Sequence, residues 1–177
     1  MSAELRGRLV ALRPIADADT DNIVRWRNDP AVLHNFIDRR AITPLSHRTW
    51  LRTRVATGEV RQFIVTRLDT GADIGSVFLR DVDAANGHCE YGIFLGEDSA
   101  RGRGFGSEAC VLALRYAFGE LGMHRVFLRA FADNEQALRS YEKAGFRREG
   151  LLRGHVLRDG VYCDIAILGI LKEEFDQ

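Results

Sequence analysis

Arg101-Gly102-Arg103-Gly104-Phe105-Gly106 stands between an alternating strand pattern and a strongly apolar helical one, and it constrains this chain more than any other segment. A tight turn alone does not need three alternate glycines between two arginines. The N-terminus of a helix leaves backbone N–H groups unpaired and carries partial positive charge. Glycines let that backbone approach a phosphate with no Cβ in the way, and Arg101 and Arg103 add formal charge. The segment therefore predicts phosphate binding at a strand–turn–helix junction. Gly104-Phe105-Gly106-Ser107-Glu108-Ala109 also fits the dinucleotide pattern G-x-G-x-x-A. Its context fits less well, because the turn follows an antiparallel meander and the nearest acid after the next strand is Asp133. A P-loop is excluded, since no Gly-Lys-Ser/Thr is present.

The flanking patterns give the element order. Residues 8–14 alternate and stop at Pro14; a helix from Asp17 carries Ile23, Val24 and Trp26 and should end at Asp29-Pro30. Thr43-Pro44 opens a second helix running to about Gly58. Strands follow at 63–68, 74–82 and 88–95, punctuated by Asp69-Thr70-Gly71 and Asn86-Gly87. An apolar helix covers 107–118, a strand 125–131, and a helix 133–144 with Ala137, Leu138, Tyr141 and Ala144 on one stripe. Two strands, about 146–153 and 161–171, flank Asp159-Gly160. The order β-α-α-β-β-β-α-β-α-β-β implies an α/β (α+β) fold with a mixed, mostly antiparallel sheet.

Composition narrows the setting. The 177 residues suit one domain, residues 1–177 throughout. Basic and acidic residues balance at 25 each, so no global field argues for nucleic acid or a membrane surface. Neither a membrane-length apolar run nor a secretory leader is legible. Cys89, Cys110 and Cys163 show no metal or disulfide spacing and are read as reduced thiols of a cytoplasmic protein. His47, His124 and His155 show no ligand spacing either, so no metal is expected.

Arg101-x-x-Gly104-x-Gly106 resembles the acetyl-CoA signature of the GNAT superfamily of N-acetyltransferases. A second segment, Asn134-x-x-Ala137-x-x-x-Tyr141-x-x-x-Gly145-Phe146, is similar to the family's second motif with every spacing kept. The resemblance spans roughly residues 60 to 170 and implies a GNAT fold with helices on both faces and splayed fourth and fifth strands. Acetyl-CoA would lie in that wedge. By resemblance, Arg101, Gly102, Arg103, Gly104, Phe105, Gly106 and Ser107 hold the pyrophosphate, backbone near Phe94 and Leu95 pairs with the pantetheine, and Asn134 contacts it. Tyr141 would protonate the leaving thiolate, and Glu90 would relay the amine's proton through water. A glutamate on a strand otherwise reads as a solvated face. A CoA-binding module without turnover is the reading from another class, and it has no need of the phenol.

The acceptor is the least constrained feature. Leu12-Arg13-Pro14, Glu149-Gly150-x-x-Arg153 and Asp159-Gly160-x-Tyr162-x-Asp164 together resemble the branch that includes ribosomal-protein N-terminal and polyamine acetyltransferases. Trp26-Arg27-Asn28-Asp29 followed by His47-x-x-Trp50 looks similar to enzymes that acetylate nucleotide-linked amino sugars, which makes Arg25, Trp26, Asn28, His47 and Trp50 the expected acceptor contacts. Residues 25–61 hold eight arginines against Asp29, Asp38 and Glu59, which favours an anionic nucleotide sugar or a peptide α-amine over a polyamine. The partner expected is thus a small-molecule or peptide amine, with a homodimer left open.

Overall fold

The computed structural model describes residues 4–175. Eight strands form one sheet in the order β1-β2-β3-β4-β5-β6-β8-β7. They are β1 (Leu5–Arg6), β2 (Val10–Pro14), β3 (Arg61–Arg67), β4 (Asp73–Asp83), β5 (His88–Leu95), β6 (Arg125–Phe131), β7 (Arg147–Arg158) and β8 (Val161–Leu171). Every neighbouring pair is antiparallel except β5 and β6. Those two run parallel because helix α4 (Phe105–Gly119) is the crossover between them.

The central strands read as continuous apolar runs because the sheet is covered on both faces. Phe63 and Val65 of β3, Val77 and Leu79 of β4, and Tyr91 of β5 join α4 and α5 (Glu135–Lys143) in the larger core. Ile64 and Phe94 face the opposite way and pack with Ile23, Trp26 and Val32. Those residues come from α1 (Thr20–Asn28) and α2 (Pro30–Leu33), and α3 (Pro44–Trp50) packs beside α1. Helix α4 is apolar around most of its circumference because it lies deep in the larger core, with nine buried residues.

Differences from the sequence expectations are local. Strand β1 went unread, being two residues long, and the turn that joins it to β2 is held by a distant group: the Glu108 carboxylate accepts from the amides of Arg8, Leu9 and Val10. Pro30 does more than end α1. Asp29 caps Ala31 N–H, and the proline becomes the first residue of α2. Thr43 caps α3 as expected, accepting from Ser46 N–H at 3.1 Å, yet the α-helix stops at Trp50 and passes into a π-turn at Leu51–Val55. Strand β7 runs to Arg158 rather than 153, because Arg153 to His155 bulge out and pairing resumes at Val156↔Cys163. Asp159 and Gly160 then turn at φ 52° and 83°, the mirror-image hairpin geometry.

Candidate active site

The extra strand shifts the numbering, so the two strands expected to splay are β5 and β6. Their register holds for three pairs, His88↔Arg125, Cys89↔Val126 and Glu90↔Phe127, and then stops. Beyond it, Tyr91–Leu95 stays paired to β4 and Leu128–Phe131 to β8, while the edges facing each other have no strand partner. Unpaired backbone N–H and C=O groups on such an edge can accept an extended ligand as an added strand. Phe94 and Leu95 lie on that free stretch of β5, with Phe94 buried on the α1 side.

Glu90 sits where the strands part. It is 2% exposed and so is not the solvated glutamate of the strand pattern. Its carboxylate accepts from Arg80 Nε at 2.9 Å and from Arg129 Nε and Nη2 at 2.9 and 3.1 Å. Burial penalises its charge, but the two guanidiniums outweigh that and hold the pKa below the ordinary carboxylate range. A base so stabilised accepts protons poorly near neutral pH, so the relay role expected of Glu90 gives way to a clamp joining β4, β5 and β6. Glu90→Gln should lose about 1–3 kcal/mol of stability in denaturant unfolding and keep the shape of the pH–rate profile. Loss of the acidic limb with stability intact would restore the base.

The glycine-rich turn lies at the start of α4. Gly102 and Gly104 have φ of +70° and +83°, which explains both glycines by backbone conformation alone. Gly106 has no such reason. A methyl added there would meet only Leu95 Cδ1 at 3.7 Å and Ile93 Cδ1 at 3.9 Å, both ordinary contacts on the free stretch of β5. A bare helical N-terminus beside an unpaired strand edge is what a pyrophosphate requires, so the residues fit acetyl-CoA. Arg101 is exposed and paired with Asp98 at 3.0 Å, and Arg103 lies over the Phe105 ring. The hydroxyls of Ser107 and Ser140 lie 3.4 Å apart, linking α4 to α5. Asn134 caps α5 by accepting from Ala137 N–H, and its amide donates to Asn35 Oδ1 at 3.1 Å.

Tyr141 is half-buried and packs edge-on against Tyr91 and Phe146. Tyr91 is the first β5 residue past the last β5–β6 pair, so the Tyr141 ring packs beside the residue at which the two strands begin to part. Its hydroxyl has no hydrogen-bond partner among the described residues, and burial raises its pKa. Two thiols, Cys89 and Cys110, are also buried and pushed up to about 12, so neither supplies a thiolate near neutral pH.

The expected acceptor residues are mostly structural. Trp26 is 1% exposed in the core, with its indole N–H on Glu97 at 2.8 Å; the exposed Arg25 is spent on the same carboxylate. Asn28 clasps both backbone groups of Ile42. Trp50 donates to Gln62, which donates to Ser76. His47 is 4% exposed, its Nδ1 3.0 Å from the Thr20 hydroxyl. The excess of arginine is largely cancelled too: Arg39, Arg40, Arg48 and Arg54 pair with Asp159, Asp38, Asp17 and Glu59. Sequence reading missed Arg80, Arg129 and Glu108. Strand alternation could have put both arginines on the face of Glu90; nothing local signals Glu108.

Burial lowers the His47 pKa, so the folded state favours the neutral ring. Its contribution to stability is present above the unfolded pKa of about 6.5 and is lost as pH falls below it. The wild-type Tm should fall between about pH 7 and 5, and His47→Gln should make that fall shallower. Parallel pH–Tm curves would refute this.

Residues 9–147 match the family model described as "Acetyltransferase (GNAT) domain". The SPbeta prophage-derived uncharacterized N-acetyltransferase YokL of Bacillus subtilis is 33% identical over 129 residues, 73% of this chain and 71% of that protein. A spermidine N(1)-acetyltransferase of Vibrio cholerae is 29% identical over 115 residues, 65% of each chain. Among solved structures, spermidine N-acetyltransferase from Vibrio cholerae in complex with CoA and spermine superposes with a TM-score of 0.89. That likeness covers 96% of this chain and 99% of the other at 22% identity, so it establishes the fold. The splayed sheet, the turn at α4 and the family match together place the chain in the GNAT acetyltransferase family.

Proposed function

We propose that this acetyltransferase moves an acetyl group from acetyl-CoA to a primary amine by direct attack in a ternary complex, with Tyr141 protonating the departing sulfur. The amine enters neutral, its nitrogen bonds the carbonyl carbon as the C–S bond breaks, and the proton it loses passes through water to restore the Tyr141 phenol. The carrying observation is Tyr141 packed on Tyr91, where β5 and β6 begin to part, with its hydroxyl unpartnered among the described residues. Burial keeps the phenol protonated, as a proton donor must be. The high pKa of both buried thiols supports direct transfer over an acyl-cysteine. Backbone at Phe94 and Leu95 would bind the pantetheine and the Arg101–Ser107 turn the pyrophosphate; Asn134 would exchange Asn35 for the ligand.

The amino-sugar acceptor suggested by Arg25, Trp26, Asn28, His47 and Trp50 loses its footing, because those side chains are engaged within the protein. A polyamine is a second reading, supported by the spermidine N(1)-acetyltransferases among the relatives. Mass-spectrometric acetyl transfer over spermidine, a peptide with a free N-terminus and simple amines tests both. Acetyl-CoA binding without transfer to any amine would leave only the non-catalytic CoA-binding module.

A further inference from the structure

A groove of about 720 Å³ opens between the β1–β2 turn and α4. That volume falls within the range of small-molecule sites, about 300–1,000 Å³. Gly104 and Ser107, which belong to the glycine-rich turn, also line the groove, so the two are continuous. From Ser107 the wall follows Val111 and Arg115, positions four apart on one helix face, over roughly 12 Å of helix axis. Leu9, Val111 and Leu112 supply an apolar floor.

The groove is cationic. Arg6, Arg8 and Arg115 line it, and the one carboxylate in its walls, Glu108, is already engaged. Burial penalises the Glu108 charge, but the amides of Arg8, Leu9 and Val10 donate to it at 2.9, 2.6 and 2.8 Å and hold its pKa below the ordinary carboxylate range. Gly7 makes room for it, since a Cβ there would fall 2.6 Å from Glu108 Cδ. Glu108 thus locks the turn to α4 and sets Arg8 on one wall with Arg115 on the other. Arg6 is paired with Glu4 at 3.2 Å. Arg8 and Arg115 are exposed, and their guanidiniums make no hydrogen bond or ion pair among the described residues; Arg8 acts on Glu108 only at longer range. Arg115 is the one charged residue of α4 between Ala109 and Gly119. Helix side chains lean toward the N-terminus, which directs it back along the groove toward Ser107.

Two unpaired guanidiniums on facing walls suit the terminal oxygens of a phosphomonoester, and the apolar floor suits the organic group that carries it. We propose that this groove is a phosphomonoester site separate from the pyrophosphate turn, with Arg8 and Arg115 holding the phosphate. Two sources have that chemistry. One is the cofactor: the adenosine of CoA carries a 3′-phosphate, and a pyrophosphate on the turn leaves the nucleoside beside Gly104 and Ser107, where the groove begins. The other is a separate phosphorylated ligand bound next to the occupied cofactor site. The first would make the two arginines select CoA over acyl carriers without that phosphate, whichever amine is acetylated.

Two titrations test the site and separate its sources. Wild type and the double variant Arg8→Gln, Arg115→Gln are titrated calorimetrically with CoA and with 3′-dephospho-CoA. Phenyl phosphate is then titrated into protein saturated with either one. If the 3′-phosphate is the occupant, CoA should bind at least about tenfold tighter than dephospho-CoA. The double variant should erase that gap and leave dephospho-CoA affinity as it was. Phenyl phosphate should then bind the dephospho-CoA complex and not the CoA complex. If the occupant is a separate ligand, phenyl phosphate should bind both complexes, at least about tenfold more weakly in the double variant. Tm should hold, because neither guanidinium has an internal partner to lose. Should the double variant not fold, Arg115→Gln alone carries both titrations. Equal affinity for CoA and dephospho-CoA with no binding of phenyl phosphate overturns the site. So does a gap, or phenyl phosphate binding, that the substitutions leave unchanged. Arginine-dependent phenyl phosphate binding by a protein that takes up neither cofactor would uphold the groove and reject only the pyrophosphate turn.

Discussion

Tyr141→Phe is expected to lower kcat by about 10²–10⁴-fold, the loss typical of a positioned general acid, with acetyl-CoA affinity nearly unchanged. The structure makes the substitution a clean one. Tyr141 meets Tyr91 and Phe146 through its ring, and Phe keeps that ring; the hydroxyl it removes has no partner among the described residues. Tm should therefore hold, because no packing and no internal hydrogen bond is lost. Burial raises the phenol's pKa, so it stays protonated throughout the working range and imposes no limb of its own on the pH–rate profile. The profile should instead rise with pH as the acceptor amine loses its proton. The loss could approach the lower figure, since a CoA thiolate already leaves fairly well. A kcat within twofold of wild type, measured where chemistry limits the rate, would reject the role and return Tyr141 to packing.

What the sequence made legible follows the range of the interactions involved. The family resemblance, which implied the wedge, was readable because its motifs are local: a turn with its glycines and a helix with its spaced Asn134, Ala137 and Tyr141. Strand alternation also placed β3 to β6 within two residues of their observed ends. Side-chain partners from distant segments were not readable. Glu90 looked like a lone acid on a strand, yet Arg80 and Arg129 reach it from both neighbouring strands. The arginines of residues 25–61 suggested a cationic field for an anionic acceptor, but Asp17, Glu97 and Asp159, all outside that window, neutralise three of them. Local counting of charge fails wherever the fold brings counter-ions from elsewhere. Trp26 and His47 failed for a related reason: a residue type common in binding sites is equally suited to a core with one internal polar partner, and only burial separates the two.

Gly106→Val is expected to weaken acetyl-CoA binding by on the order of 100-fold, and it separates ligand approach from backbone conformation. Gly104, the more obvious target, has φ of +83°, so any side chain there strains the turn whether or not a phosphate binds. At Gly106 the backbone is already helical, and an added methyl meets only the ends of Leu95 and Ile93 at 3.7 and 3.9 Å. Replacing a helical glycine costs the folded state little, and an alanine there should add about 0.5–1 kcal/mol of stability. The same branched side chain would project over the free stretch of β5, against the amides that begin α4. Holding a pyrophosphate off by its bulk would forfeit about two charge-assisted backbone hydrogen bonds, each worth about 1.5–3 kcal/mol. Three kcal/mol already corresponds to roughly a hundredfold change in Kd. Gly106→Ala should fall between wild type and Val in affinity while matching or exceeding wild type in Tm. Calorimetric titration with acetyl-CoA, paired with thermal unfolding, reads both quantities on the same protein. Affinity within twofold of wild type in a folded Gly106→Val would show that the turn does not bring its backbone against phosphate.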